Sequence, residues 1–521
     1  MRAPRVEVQE EARPAHQPRR SEALGALLLA VALVGSACSS NDSSTSIAPN
    51  GPTSTVGSAP PASVAGVTAT AATGAASAST SSVRSSDGST NGQTPSNCGQ
   101  QEWDKVVCAA LADVNAFWAR TYPEVFKQPY TPISGGFYPY TSTTQPPPCG
   151  NPPPQYQDIA NNAFYCRQGD LIAWDDEGLI PTLYKEFGPL VVAVVFAHEW
   201  GHAIQARAGI FNSPTIVLEN QADCFAGSWA ADAERGGSAT FKVAPALLDT
   251  ALAGFLTFAD APGTTARDAR AHGSGFDRVN GFQDGYDHGA SECATYQQKP
   301  PTFTELPFLS QADAASGGTL PYADLENAVI SDQENYWSQQ YPALFAKQWT
   351  AVSKKIPYDP NSNDLPTCGG EHFPADAYSN VIFYCHADDS IAWDEAQFMP
   401  NVYQRIGDFA VGTLFANAYA QAAVERASIT TSGSDEQTMV DCLTGGWARA
   451  VFDRTVRGGG AGSQLLLSPG DLDEGIAALL AFGDRSLPSL RGKSRATTAF
   501  ERLDHFRNGF DSGAKSCVPN A

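Results

Sequence analysis

The pattern of apolar and polar residues along the chain predicts a mixed fold in which helices predominate. The stretch LVVAVVFAHEWGHAIQARAG predicts a long buried helix that Gly209 ends. LENQADCFAGSWAADAE predicts a second helix, and residues 104–120 are typical of a third. AFYC and LIAWD predict short strands joined by a polar turn at residues 168–170. Two or three more helices are expected before Cys293, so the expected fold class is α+β, rich in helix.

The same segments return in the second half of the chain. FWARTYPEVF around Trp118 returns as YWSQQYPALF around Trp337, and FYCRQGDLIAWDDEG returns as FYCHADDSIAWDEAQ. The offset is 219 residues (337 − 118) through Arg207 and shifts by a few residues afterwards, as loop insertions would cause. The pattern predicts two tandem units, over residues 98–298 and 325–521, each with a helical core and a small sheet.

The composition agrees with two units and excludes some classes of binding partner. A chain of 521 residues is too long for one compact core, and 42% hydrophobic residues are enough to bury more than one. The formal net charge of −22 creates a field that repels nucleic acids and anionic lipid surfaces. We therefore expect no nucleic-acid partner, while the oligomeric state stays open.

The first 38 residues predict an export signal. Arg19 and Arg20 precede an apolar run over residues 24–34, which is too short to cross a bilayer and fits a signal sequence. Small residues lead to Cys38, as in the bacterial lipoprotein signal, although Gly35 stands where Leu or Val is usual. We expect an extracytoplasmic protein held at the membrane by a lipid on Cys38, with ordinary secretion as the alternative.

Residues 39–97 predict a disordered tether between this anchor and the folded units. The segment consists almost wholly of Ser, Thr, Ala, Gly and Pro. Such a composition cannot bury enough apolar surface to order the chain.

The cysteines repeat with the units. Even numbers at repeated spacings in an exported chain imply disulfides, and each proposed pair closes within its own unit. A zinc site built from cysteines is a weak rival, because the chain contains no CxxC pair. The expected pairs are Cys149–Cys166, Cys224–Cys293, Cys368–Cys385 and Cys442–Cys517, with Cys98–Cys108 as a local pair.

The long apolar helix contains the sequence His198-Glu199-Trp200-Gly201-His202. Histidines four residues apart lie on one helix face, so both imidazoles can reach a single ion. Zinc suits imidazole nitrogens, and a helix holds the pair rigidly. Glu199 projects beside the pair and could move a proton from an attacking water to a leaving amine. Two ordinary helix histidines are the alternative reading.

A zinc site of this kind needs a third protein ligand. Glu219 is the best candidate, because the second helix carries it together with Asp223 one turn later. A carboxylate ligand and a carboxylate that orients a ligating imidazole would both fit there. An exposed acidic helix face is the alternative in so acidic a chain.

AHEWGHAIQ, LENQADCFAGSWA and HGSGFDRVNGFQDGYDHGASEC together resemble the putative neutral zinc metallopeptidase family of bacteria. The resemblance covers residues 118–293 and, less clearly, the second unit. It implies a gluzincin-type site with zinc as the cofactor, in which His198, His202 and Glu219 are ligands, Glu199 is the catalytic base and Asp223 supports a ligand. Such folds also bind a peptide along an edge strand, here AFYC or LIAWD.

The second unit provides an internal comparison for these residues. His272 becomes Ala496, so it is a candidate for stabilising the oxyanion, with a loop histidine capping a helix as the alternative. Arg278 is retained as Arg502, which indicates a structural role. The positions facing His198, Glu199, His202, Glu219 and Asp223 hold Asn417, Ala418, Gln421, Gln437 and Asp441.

These observations predict a zinc metallopeptidase that hydrolyses peptide or protein substrates, with its site in the first unit. The second unit is expected to bind substrate or to pack against the first. Two other readings stay open. One is a non-catalytic surface binding or scaffold lipoprotein, which metal analysis of the purified protein would distinguish from a zinc enzyme. The other is hydrolysis of a non-peptide amide such as a cell-wall crosslink, which uses the same residues.

Overall fold

A computed structural model describes residues 99–268, 271–429, 433–458, 465–482 and 498–518. The export signal with Cys38, the tether and Cys98 lie outside these residues. Within the described part of the chain, every helix is either too short or too polar to cross a membrane.

The first half is mainly helical, with three short strands placed early in the chain. Its elements follow in the order α1 Glu102–Phe126, β1 Gly136–Tyr140, α2 Tyr156–Ile159, β2 Ala163–Cys166, β3 Leu171–Asp175, α3 Leu179–Phe187, α4 Pro189–Ala208, α5 Thr215–Glu234, α6 Pro245–Phe255, α7 Gly275–His288 and α8 Ala290–Cys293.

The three strands form a mixed sheet in the order β1-β3-β2. Strand β1 pairs with β3 in parallel, and β2 pairs with β3 in antiparallel through a turn in which Asp170 adopts a positive φ of 47°. All five residues of β3 are buried, as expected for a central strand. LIAWD is therefore paired on both sides and cannot accept a peptide. AFYC, which is β2, keeps one free edge.

Helix α4 is the buried helix predicted from the apolar run. It begins with Pro189, whose missing N–H costs nothing at the first helical position. It ends at Gly209, which adopts the left-handed conformation predicted for a helix stop (φ 73°). Helix α1 differs from its prediction, since it continues past Arg120 to Phe126 and contains Pro123. The extra turn is anchored by Tyr122, which is buried against Phe126 and Tyr130.

Helices α5 and α7 pack at very close range through glycines. A Cβ added to Gly227 would lie 1.9 Å from the carbonyl oxygen of Phe282, and one added to Gly285 would lie 1.7 Å from that of Cys224. The Cys224–Cys293 disulfide joins α5 to the short helix α8, which directly follows α7. The geometry of these two helices is therefore set by backbone contact.

The second half contains a comparable series of elements. They are α9 Gln311–Ala315, α10 Tyr322–Phe345, β4 Lys354–Tyr358, β5 Ile382–Cys385, β6 Ser390–Asp394, α11 Phe398–Arg405, α12 Asp408–Ala427, α13 Gly433–Val456, α14 Asp471–Phe482 and α15 Ala499–Ser512. Its sheet has the order β4-β6-β5, again with one parallel and one antiparallel pair. Buried apolar residues of both halves form one continuous cluster.

Four predicted disulfides are confirmed. Cys108 is also disulfide-bonded, while its predicted partner Cys98 is outside the described residues. The confirmed pairs are Cys149–Cys166, Cys224–Cys293, Cys368–Cys385 and Cys442–Cys517.

Candidate metal centre

The structure brings His198, His202 and Glu219 together between helices α4 and α5. One turn of α4 separates the two histidines, and their Nε2 atoms are 3.2 Å apart. Glu219 comes from the first turns of α5, and its Oε2 lies 3.3 Å from His198 Nε2 and 3.4 Å from His202 Nε2. The three ligand atoms therefore form a nearly equilateral triangle.

This triangle has the dimensions that a zinc ion requires. Two ligands about 2.0–2.1 Å from one ion at a tetrahedral angle lie about 3.3–3.4 Å from each other. Two imidazole nitrogens and one carboxylate oxygen are also a donor set that zinc prefers. The residues present therefore fit a zinc ion with a fourth position left for other ligands.

Asp223 orients the first histidine. Its Oδ1 lies 2.5 Å from His198 Nδ1, and Asp223 is completely buried. An ionised carboxylate can only accept, so Nδ1 carries a proton, and Nε2, which faces the ligand triangle, is the nitrogen left to bind a cation in place of its proton. The carboxylate of Asp223 thus selects the tautomer that a metal ligand needs.

Arg278 holds Asp223 in turn. Its Nε and Nη2 donate to the two oxygens of Asp223 at 2.9 Å each, and Nη1 donates to the carbonyl of Phe258. Burial would raise the pKa of Asp223, but Arg278 and His198 hold it below its usual value. Arg278, for which the sequence indicated a structural role, thus contacts the residue that orients the candidate ligand His198.

Gln205 orients the second histidine and was missed from the sequence. Its Oε1 lies 3.0 Å from His202 Nδ1, while its Nε2 donates to the carbonyl of Leu218. Because that carbonyl accepts only, the amide oxygen must face His202. A signal existed, since Val424 replaces Gln205 in the second half, where the ligands are also replaced.

Glu199 lies beside the triangle and is fixed by the sheet. Its Oε2 accepts a hydrogen bond from the backbone N–H of Tyr165 on β2 at 2.8 Å. The side chain is buried, and burial raises its pKa above the usual value. A carboxylate with this environment is suited to exchange a proton.

The charges around the triangle favour a cation. Burial would lower the pKa of His198, but Asp223 and Glu219 raise it to about 10. Burial would likewise lower the pKa of His202, but Glu219 raises it. The two histidines hold the pKa of Glu219 well below its usual value despite burial. The carboxylates thus supply a negative field that a divalent cation would neutralise.

The triangle lines a cleft of about 500 Å³. Its apolar wall includes Leu179, Val195, Ile210, Leu218, Phe255 and Phe258. Phe211, 42% exposed, lies in the same cleft with the guanidinium of Arg167 4.0 Å from its ring centre. The cleft is large enough for several side chains of an extended ligand.

His272 also lines this cleft, in the loop before α7. Its side chain is 48% exposed, and its Nδ1 lies 3.4 Å from Asp260 Oδ1. Its backbone N–H donates to the same carboxylate. His272 is therefore near the ligand triangle but belongs to a separate contact with Asp260, and its role in oxyanion stabilisation stays a prediction.

The corresponding positions of the second half form a different arrangement. Asn417 and Gln437 both donate to Asp441 Oδ1 at 3.0 Å. Arg502 pairs with Asp441 as Arg278 pairs with Asp223. The supporting ion pair is thus present in both halves, while the histidines and Glu219 are matched by amides.

Comparison with known proteins agrees with this geometry. Residues 59–296 match the model of the family described as putative neutral zinc metallopeptidase. The match includes the whole ligand triangle, Glu199 and Asp223. Comparisons with curated proteins and with solved structures found no match. The first half is therefore similar to a class of zinc hydrolases.

Proposed function

We propose that this protein is a zinc-dependent metallopeptidase whose first half hydrolyses peptide bonds. The observation that carries the proposal is the triangle of His198, His202 and Glu219, with ligand atoms 3.2–3.4 Å apart and lining an open cleft. The similarity of residues 59–296 to a zinc metallopeptidase family supports the same chemistry.

The free edge of β2 is the proposed platform for the substrate. The N–H of Tyr165 points away from β3, because it donates to Glu199. In an antiparallel pair, alternate residues direct both backbone groups to the same side, so the N–H and C=O of Ala163 face the same edge. An extended peptide could pair with these groups and place its carbonyl near the ligand triangle.

Glu199 is the proposed acid–base residue. When bound, zinc supplies a Lewis acid that polarises the scissile carbonyl and makes water easier to deprotonate. Glu199 accepts the proton from that water and then donates it to the departing amine nitrogen. The Tyr165 N–H keeps the carboxylate oriented throughout, because it binds one oxygen and leaves the other for the proton.

Two substitutions test this proposal directly. Glu199→Gln should lower kcat by at least about 100-fold, the contribution typical of general acid–base catalysis, while zinc stays bound at one ion per chain. His202→Ala should lose the zinc as well. Gln421→Ala changes the equivalent position in the second half and should alter neither quantity.

The measurements are zinc content by elemental analysis and hydrolysis of a mixed peptide library by mass spectrometry. Wild-type protein without zinc would contradict the metal site. Near-normal turnover by zinc-loaded Glu199→Gln would contradict the role of the base. Zinc binding with cleavage of a non-peptide amide alone would keep the site and replace the substrate class.

The second half is proposed to be a duplicated unit that has lost its ligands and kept its fold. The repeated sequence segments, the equal strand orders and the equivalent disulfides support this. We further propose that the protein works outside the cytoplasm, held at the membrane through Cys38 and the segment up to residue 97.

A further inference from the structure

The two halves meet through a reciprocal pair of helices, α7 and α15. Phe276 at the start of α7 packs against Phe506 and Phe510 of α15. Phe500 at the start of α15 packs in the same way against Phe282 and Tyr286 of α7. Equivalent residues thus exchange places across the contact, as in a symmetric dimer.

Each half also caps the other half's helix with a carboxylate. Asp473 of α14 accepts hydrogen bonds from the backbone N–H groups of Gly275 and Phe276, both at 2.8 Å. Asp249 of α6 accepts one from the N–H of Phe500, also at 2.8 Å. Carboxylates at helix N-termini satisfy free N–H groups and stabilise the helix dipole.

The two capped helices differ in the residues that their first-turn arginines reach through an aspartate. The first turn of α7 contains Arg278, which pairs with Asp223, and Asp223 orients the ligand His198. The first turn of α15 contains Arg502, whose partner Asp441 faces Asn417. A line of direct contacts therefore runs from Asp473 to a proposed metal ligand, while the line from Asp249 ends at an amide.

The second half also holds α7 further along its length. Arg507 of α15 donates to the carbonyl of Asn280 at 3.1 Å and reaches the carboxylates of Asp284 and Asp287. On the first-half side, Gln283 of α7 donates to the carbonyl of Phe500 at 3.3 Å. Helix α7 is thus held at its start and along its middle by residues of the second half.

From these contacts we infer that the second half is an internal scaffold for the metal site, and that Asp473 is a positioning residue for it. By fixing the start of α7, Asp473 sets the position of Arg278 and thereby the direction of the His198 imidazole. The inference rests on the proposed zinc site for its functional meaning. Its structural part, the link from Asp473 to His198, applies to the metal-free protein as well.

The chain provides a matched control for this inference. Asp473→Ala and Asp249→Ala each remove one carboxylate that caps a helix across the same interface. Both should lower the melting temperature of the full chain. Only Asp473→Ala should loosen α7 at Arg278, so the two variants separate a positioning role from a purely structural one.

Two readouts follow the site itself. Zinc affinity, measured by competition with a chromophoric chelator, should fall about 10-fold in Asp473→Ala, the lower end for losing support of a ligand, and stay within about twofold in Asp249→Ala. In the zinc-free protein, the Nδ1–H proton resonance of His198, assigned by its loss in His198→Asn, should shift or broaden in Asp473→Ala alone. Asp473→Asn retains one acceptor oxygen and should lie between wild type and Asp473→Ala.

The outcomes distinguish this inference from the proposed function. Equal changes of the His198 resonance in both alanine variants, or no change in Asp473→Ala, would overturn the positioning role. Suppose instead that the His198 resonance changes only in Asp473→Ala, and that the wild-type protein binds no zinc. This result would support the link from Asp473 to His198 and contradict the metal site.

Discussion

Two buried arginine–aspartate pairs, one in each half, connect packing to the candidate chemistry at the scale of single residues. Arg278 with Asp223 and Arg502 with Asp441 are almost fully buried. Removing one partner of such a pair leaves a buried charge and typically costs about 3–5 kcal/mol. In the first half, the same pair also fixes the tautomer of His198.

Arg278→Met is therefore expected to have two effects and Arg502→Met only one. Both should destabilise the protein by about 3–5 kcal/mol, since each leaves a buried aspartate without its arginine. Arg278→Met should also weaken zinc binding about 10–100-fold, because Asp223 loses its orientation. Chemical denaturation and chelator competition measure the two effects. A loss of zinc affinity in Arg502→Met equal to that in Arg278→Met would contradict the assignment.

The candidate ligands and one of their supports, Asp223, were predicted at this scale, whereas Gln205 and the Tyr165 N–H were missed. The spacing of His198 and His202 places both on one face of a helix, which is a local property of the chain. Gln205 could have been found from its replacement by Val424. The contact of the Tyr165 N–H with Glu199 could not be predicted from residue type, because it uses a backbone group that almost any residue would supply.

At the scale of elements, the order of strands determines where a peptide could bind. AFYC and LIAWD were equal candidates from their sequences, since both are short and rich in apolar or aromatic residues. The structure places LIAWD in the centre of the sheet and AFYC at its edge beside Glu199. This order depends on the parallel pairing of β1 with β3, which joins segments that are distant in the sequence. The two strand sequences alone do not contain that information.

Three carboxyl groups, two of them buried and Glu474 half-buried, meet where the starts of helices α12 and α14 lie together. Asp408, Asp471 and Glu474 have oxygens within 4.8 Å of one another. Backbone N–H groups of Leu320 and Phe409 donate to this cluster. Burial and the neighbouring carboxylates raise the pKa of Asp471 and of Glu474 well above their usual values. The cluster therefore keeps its protons to a higher pH than isolated carboxyl groups do.

This cluster predicts a pH dependence of stability. Since the folded-state pKa of Glu474 is raised, its contribution to stability is fully present below the usual carboxyl pKa and is lost as pH rises through the raised value. Glu474→Gln keeps an acceptor for the Phe409 N–H and cannot ionise. It should match wild type near pH 5 and melt at a higher temperature than wild type at pH 8.5, because only the wild-type carboxyl loses stability as it ionises.

Melting curves from pH 5 to 9 test this expectation. Glu371→Gln, an exposed carboxyl in the same half, serves as control and should follow wild type at every pH. A Glu474→Gln protein that melts below wild type at pH 8.5 would show that the ionised carboxylate is stabilising instead.

At the scale of the whole molecule, the proposed arrangement is a folded double unit on a tether. If Cys38 carries the lipid, Cys38→Ala should move the protein from the membrane fraction to the soluble extracytoplasmic fraction, because the apolar run before it is too short to serve as an anchor. Fractionation with immunoblotting measures this, and Ser40→Ala should stay in the membrane. Wild-type protein found wholly in the medium would favour ordinary secretion.

The sequence by itself determined the features that depend on local spacing or on the repeat of segments along the chain. These are the two histidines on one helix face, the stop of that helix at Gly209, the repeated segments and the disulfide partners. Each of these four features rests on local geometry or on comparing the two halves of the sequence, so none of them needs knowledge of packing.

Only the tertiary structure decided how distant segments meet. The approach of Glu219 to both imidazoles, the edge position of AFYC and the Asp473 cap on α7 all join residues from separate elements. Those contacts arise because glycine-mediated helix packing and a shared apolar core bring the elements together. The free energy that selects them belongs to the whole fold, and no short stretch of the chain contains it.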